Sequence, residues 1–196
     1  MRARDSLPPR YFEEMFAGDP DPWRFETSAY EQAKYAHTIA ALDGRRYLHG
    51  LEIGCAIGVL TEMLGARCDR LTAVDVSETA LARARDRCGA LSHIDFARMA
   101  FPRVAPQGQL FDLIVLSEVA YYWNDDDLRL AGERLAALLA PGGELLLVHW
   151  IGETDYPQTG DGAVEALQRS LGPTMTVVAQ DREPSYRLDL WCGTPE

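Results

Sequence analysis

From residue 47 onward, short runs rich in branched and aromatic residues alternate with segments of helical character. "LHGLEI", "RLTAVDV", "SHIDFARM", "FDLIVLSEV" and "ELLLVHW" read as strands. "GVLTEMLGAR" and "SETALARARDRCG" read as helices, the second capped by Ser77. "DDDLRLAGERLAALLAPGG" reads as a helix with acids in its first turn and Pro-Gly at its end. "GDGAVEALQRSLG" is a further helix, and "TMTVVAQDRE" and "SYRLDLWCG" are two closing strands. Strand and helix in alternation predict an α/β fold. Its core is a doubly wound, mostly parallel seven-stranded sheet with helices on both faces. The strands are apolar on both faces, as buried parallel strands are. No helix separates the final two strands, so the last strand runs antiparallel.

Two helical segments come first. "PPRYFEEMFAG" starts on proline and stops at Gly18. Prolines at 20 and 22 then force the turn "DPDPW". In "SAYEQAKYAHTIAALDG", Ser28 is the cap, Glu31 completes a capping box and Gly44 is the stop; Tyr35, Ile39 and Leu42 form an apolar stripe. The expected organisation is one domain over 1–196, with 1–44 an N-terminal helical lid and 45–196 the sheet core.

Composition narrows the function classes. With 196 residues one core of ordinary size can form. The formal net charge of −11 argues against a nonspecific grip on nucleic acid or an anionic membrane. No run approaches the roughly 20 apolar residues of a membrane span. The start "MRARDSLPPRYFEEMF" has no apolar core of a signal peptide. Cys55, Cys68, Cys88 and Cys192 fall in no CxxC pair, which fits reduced thiols in a cytoplasmic protein. The acid run "WNDDDLR" reads as a helix start with no second cluster of ligands, so the expected chemistry needs no metal.

The segment "LEIGCAIG", residues 51–58, ends the first strand of the sheet. Ligands of such sheets bind beyond the carboxyl ends of the strands. Gly54 and Gly58 let a ligand lie against the backbone, and the next helix offers free N–H groups. Glu52 sits inside the apolar run, where an unpaired carboxylate is costly. A nicotinamide fingerprint, GxGxxG, aligns Gly54, Ala56 and Val59, and Val59 stands where the third glycine belongs. "LTAVDVS" ends the second strand at Asp75, where a carboxylate can accept both hydroxyls of a ribose; the alternative is an acid at a helix start.

Glu52, Gly54, Ala56 and Gly58 resemble the first motif of the class I methyltransferases, which use S-adenosylmethionine. "FDLIVLSEV" resembles that family's fourth strand and "LAPGGELLLV" its helix-turn-strand, in matching order. The resemblance implies that Glu52 orients the loop or meets the methionine amine. It implies that Asp75 and Val76 hold the ribose side and that Ser117 lies at the cofactor. The family's usual adenine acid falls on Met99, which can pack on the ring while the Ala100 amide meets a ring nitrogen; Asp95 is the alternative in a shifted register.

A closer similarity runs over residues 11–170. "FAGDPDPWRFETSAYEQAKYAHTIAAL", "SEVAYYW" and "HWIGETDYPQTGD" are similar to the nodulation protein S group. These are N-methyltransferases of the deacetylated glucosamine of a chitooligosaccharide. The resemblance implies S-adenosylmethionine as cofactor, S-adenosylhomocysteine as product, and a small polar acceptor such as an amino sugar. The partner is then a small molecule, with no nucleic acid or membrane, and the chain a monomer or homodimer. Two readings compete: an O-methyltransferase of a secondary metabolite, and a cofactor-binding module without catalysis. Trp23 is expected as a lid and Arg24 as partner of the methionine carboxylate, with Lys34 and Tyr35 near the same carboxylate. An amine acceptor must lose a proton, so a base is sought near the ends of strands four and five. The candidates are His149 first, then Glu118, Tyr121 and Tyr122. Both tyrosines can also form an aromatic wall. Trp150, Tyr156 and Asp161 are candidates for lining a sugar-sized cleft.

Overall fold

A computed structural model describes residues 2–195 of the chain. The chain divides into two compact units: residues 8–99, and residues 100–195 together with 2–7.

The first unit holds α1 (Pro9–Gly18), α2 (Ala29–Ala40), β1 (Tyr47–Ile53), α3 (Val59–Gly65), β2 (Cys68–Asp75), α4 (Glu78–Arg87) and β3 (Ile94–Arg98). Local chemistry sets the helix ends. Pro9 opens α1, where its missing N–H costs nothing. The Ser28 side chain accepts from the Glu31 amide at the start of α2, and Ser77 does the same for Ala80 at α4. β1 pairs in parallel with β2, and β2 with β3, placing Ile53 beside Val74 and Asp75 beside Arg98. Leu51, Ile53, Leu71, Ala73 and Val74 are sealed from solvent.

The second unit holds β4 (Phe111–Ser117), a 3₁₀ turn (Ala120–Tyr122), α5 (Asp125–Leu138), β5 (Leu139–Trp150), α6 (Gly160–Leu171), β6 (Met175–Arg182) and β7 (Tyr186–Gly193). β4 and β5 are parallel, and β7 is antiparallel to both β5 and β6. Leu113, Ile114, Val115 and Leu116 of β4 and Leu146, Leu147 and Val148 of β5 have no exposed surface. Each such side chain contributes about 1.5–3 kcal/mol over its exposed state.

The seven strands run in the order β3-β2-β1-β4-β5-β7-β6. This is the mostly parallel, doubly wound sheet with one antiparallel strand that the alternation predicted. Two boundaries differ from expectation. Helix α2 stops at Ala40, and Asp43 (φ 48°) and Gly44 (φ 69°) turn the chain left-handed beyond it. Helix α5 ends at Leu138, so "LAPGG" belongs to β5 rather than to the helix end. The pairing jumps from Phe111↔Leu139 to Leu113↔Glu144, and the extra residues bulge. Pro141 has no amide to pair, and Gly142 takes φ 69°.

Cys55, Cys68 and Cys88 are buried free thiols, and Cys192 is partly exposed.

Candidate active site

In the first unit the loop after β1 is shaped by three left-handed residues. Gly54 (φ 84°) and Gly58 (φ 83°) are left-handed, and so is Ala56 (φ 48°), where a side chain is strained. Gly58 admits no replacement, since a Cβ there would stand 2.9 Å from the Ala84 Cα of α4. The loop is fastened at both ends. The Gly54 and Cys55 amides donate to the Val74 carbonyl at 2.8 and 3.1 Å. Farther on, Arg87 Nε donates to the Ile57 carbonyl at 3.1 Å.

Asp75 closes this arrangement. Its Oδ2 accepts from the Ala56 amide at 2.9 Å, and its Oδ1 from the Ser77 amide at 2.9 Å. Burial raises its pKa, against these amide bonds, which lower it. A carboxylate offers about four lone-pair sites, so Asp75 retains capacity for hydroxyl donors. Asp75 is thus an acid at a helix start, as the alternative reading had it, and it also ties down the glycine loop, which neither reading included.

Glu52 lies on β1, 2% exposed. Its Oε2 and the Thr61 hydroxyl are buried without a well-formed hydrogen bond. Burial drives the Glu52 pKa from 4.5 to about 7; the Thr61 hydroxyl pulls it down and the Asp75 carboxylate pushes it up. An acid held half-protonated near neutral pH suits a cationic or hydrogen-bond-donating ligand group.

The other residues expected on the cofactor side fall as follows. Val76 follows β2 directly, and its carbonyl accepts from Arg98 Nε at 3.1 Å. Met99 follows β3, with its amide on the Asp75 carbonyl at 2.8 Å. Asp95 lies at the opposite end of β3, exposed and paired with Arg70, so the register that sets Met99 beyond the strand's carboxyl end is the observed one. Trp23 stacks on Phe25 and meets Phe16 of α1 edge-on at 5.7 Å. Arg24 is exposed at φ 57°, its carbonyl receiving the Thr27 and Ser28 amides. Lys34 is buried against Glu31 at 2.9 Å and lies over the Tyr30 and Tyr35 rings.

In the second unit Ala100 opens the turn after Met99, its carbonyl receiving the Val104 amide, and Ser117 ends β4 half-buried. The residues considered for the acceptor side gather beyond β4 and β5. Glu118 takes φ 59° as β4 ends. Its Oε2 accepts from the Tyr121 hydroxyl at 2.7 Å and the Trp150 amide at 2.8 Å. Tyr121, Tyr122 and Tyr156 form one aromatic cluster, with Tyr121 and Tyr156 stacked at 5.6 Å. Burial first, and the Glu118 charge for both, push the Tyr121 and Tyr122 phenols well above 10. They are neutral phenols at any ordinary pH.

His149 has no exposed surface, and its Nε2 accepts from the Ala120 amide at 3.2 Å. In the neutral ring the proton is therefore assigned to Nδ1. The helix cap at α6 is Thr159, two residues before the cleft candidate Asp161. Asp161 itself pairs with Arg182 at 2.8 Å and Arg187 at 3.0 Å.

Sequence reasoning missed the N-terminal strap. The Ser6 hydroxyl donates to Asp127 at 2.5 Å and accepts from the Asn124 amide at 2.9 Å, while the Leu7 amide donates to the Tyr122 carbonyl. Only the spacing Asn124–Asp127, a cap and its third residue, hinted at that cluster. Among the described residues no group of three or more His, Cys, Asp or Glu is placed to hold a metal ion. No helix among them is long and apolar enough to cross a membrane.

The fold, with a glycine loop after β1 and an acid ending β2, is that of the Rossmann-like methyltransferases. The chain belongs to the nodulation protein S family, whose model matches residues 13–150. Nodulation protein S of Bradyrhizobium diazoefficiens is 43% identical over 129 residues, covering 64% of this chain and 61% of that protein. The protein of the same name from Sinorhizobium fredii is 41% identical over 128 residues, 64% of this chain and 59% of its own length. The match thus spans about three-fifths of these curated relatives. Among solved structures, the N-methyltransferase NodS from Bradyrhizobium japonicum WM9 in complex with S-adenosyl-L-homocysteine superposes with a TM-score of 0.83 at 30% identity, over 95% of this chain and 98% of that one. A putative methyltransferase from Pseudomonas syringae superposes at 0.68 with 36% identity, over 84% of this chain and 99% of that one.

Proposed function

We propose that this chain is an S-adenosylmethionine-dependent N-methyltransferase. Its acceptor is an amine on an amino sugar, of the kind at the deacetylated end of a chitooligosaccharide. The observation that carries the reading is the Asp75 carboxylate, which fastens the left-handed Ala56 turn while keeping lone pairs for a ribose diol. Buried Glu52, two residues before the first glycine of that loop, fits the ligand's cationic methionyl end. The family match and the relatives named as N-methyltransferases support the same reading.

S-adenosylmethionine, when bound, supplies a methyl group on a sulfonium. The chain's own residues do the rest. Gly54, Ala56 and Gly58 would bring backbone to the ligand, Asp75 and Val76 would hold the ribose side, Met99 would pack on the adenine, and Ala100 and Ser117 are the further residues assigned to the cofactor. Trp23 would cover the ligand and Arg24 would pair with its carboxylate. On the acceptor side Glu118 is the base. It is a carboxylate fixed by Tyr121 and the Trp150 amide, whereas the Nε2 lone pair of His149 already receives a backbone N–H. His149 holds the turn that carries Tyr121 and Tyr122. The neutral tyrosines form the wall against which a sugar ring packs. A net charge of −11 favours approach of a cationic acceptor.

Calorimetry with S-adenosylmethionine and S-adenosylhomocysteine, followed by methyl transfer to glucosamine oligomers and to hydroxyl acceptors, tests this. Binding with transfer to the amine is expected. Transfer to hydroxyls alone overturns the acceptor, binding without any transfer overturns the catalysis, and no binding overturns the whole reading.

A further inference from the structure

Glu13 lies on α1, far in sequence from the cofactor loop, yet its carboxylate is fully engaged at the start of α4. Oε2 accepts from the Ser77 hydroxyl at 2.6 Å and the Thr79 amide at 3.3 Å, and Oε1 accepts from the Thr79 hydroxyl at 2.6 Å. Ser77 is at the same time the cap of α4 and, through its own amide, a donor to Asp75. Asp75 in turn receives the Ala56 amide. Four groups in series, Glu13, Ser77, Asp75 and Ala56, therefore run from α1 to the strained turn of the glycine loop.

Two observations separate this series from plain helix capping. Ser77 already caps α4 without help from α1. Moreover, Glu13 brings a second negative charge close to Asp75, whose pKa burial raises and the Glu13 field raises a little further. The apolar docking of α1 is thin as well, since Phe16 is its one buried residue. The polar contact at Glu13 thus joins α1 to the start of α4.

We propose that Glu13 is a positioning residue for the cofactor: through Ser77 it fixes the Asp75 carboxylate, and through Asp75 the Ala56 turn. The inference rests on the cofactor reading above. Glu13 need touch no ligand; it acts by removing freedom from a carboxylate that does, which lowers the ordering cost of binding.

The test is calorimetry with S-adenosylhomocysteine on the whole chain, with thermal melts and steady-state kinetics in S-adenosylmethionine alongside. Glu13→Ala is expected to weaken binding about tenfold, the loss of one or two charge-assisted hydrogen bonds. KM should rise in proportion and kcat at saturation stay within about twofold. Glu13→Asp should recover part of the loss. On a Ser77→Ala background Glu13→Ala should cost less than about twofold, and on a Thr79→Val background it should keep most of its effect. A Glu13→Ala variant that melts lower but binds as tightly overturns the proposal. So does a Glu13→Ala effect that is the same on the Ser77→Ala background, or one that disappears only with Thr79→Val. A parent chain that binds no S-adenosylhomocysteine overturns the cofactor reading and this inference with it; a parent that binds, beside a Glu13→Ala that binds equally, overturns this inference alone.

Discussion

The Asp75 carboxylate receives the Ala56 amide on one oxygen and the Ser77 amide on the other, each at 2.9 Å. One side chain thereby ties the loop after β1 to the start of α4. Replacing it with Asn leaves one acceptor and turns an amide donor toward a backbone donor. Asp75→Asn should lower stability by about 1–3 kcal/mol and weaken S-adenosylhomocysteine binding at least tenfold. Urea unfolding and calorimetry measure the two effects separately.

Gly58 makes a sharper steric prediction. It sits at φ 83°, and an added Cβ would meet the Ala84 Cα at 2.9 Å. Backbone does not yield as a side-chain tip does, so Gly58→Ala should cost about 2–4 kcal/mol from strain and overlap together. Ala84→Gly relieves the contact with Cβ but not that with Cα, so it should restore only part of the loss in a double variant.

The fold itself was legible because its signals are local. Ser28 and Ser77 sit three residues before the amides they cap, and Pro9 and Gly18 bracket α1. The glycine loop and Asp75 were legible for a similar reason, since backbone approach and strand ends have recognisable residue types. The Glu13 contact was not, because Ser77 and Thr79 lie 64 and 66 residues away. The surroundings of His149 were hidden too. A histidine at a strand end reads the same whether its lone pair is open or taken by the Ala120 amide. The surroundings of Asp161 were hidden as well, since its two arginine partners come from β6 and β7.

Glu52 gives a pH dependence with a definite sign. Its pKa is about 7 in the folded chain against an ordinary 4.5. Between those values the folded state holds a proton that the unfolded state has released. Stability from this group is therefore lost as pH rises from about 4.5 to about 7 and is level above that. Glu52→Gln should flatten the profile, removing up to about 3 kcal/mol of the difference between pH 5 and pH 8. Asp75, also raised by burial, acts with the same sign as pH rises from its ordinary 3.8. Urea titrations of both proteins at the two pH values read the difference directly.

On the acceptor side, Glu118→Gln keeps the size of the side chain and removes its basicity. We expect kcat to fall about 10²-fold or more with little change in S-adenosylhomocysteine affinity. Tyr121→Phe removes one hydrogen bond to Oε2 and leaves the aromatic stack, so it should cost about tenfold in kcat at most. His149→Asn should instead lower the melting temperature through the Ala120 contact. If the Glu118 variant retains full turnover while the His149 variant loses it at unchanged stability, the base has been misassigned.

The thiols described earlier divide the chain into reactive and silent positions. Cys55, Cys68 and Cys88 are at most 4% exposed, and burial pushes the Cys55 thiol well above 9 and Cys88 to about 11. Reagents attack the thiolate, so at neutral pH a maleimide should enter the native chain at Cys192 alone. That residue on β7 becomes a ready attachment point for a spectroscopic probe. The three silent thiols then serve as a clock: the rate at which they become labelled counts how often the interior opens to water.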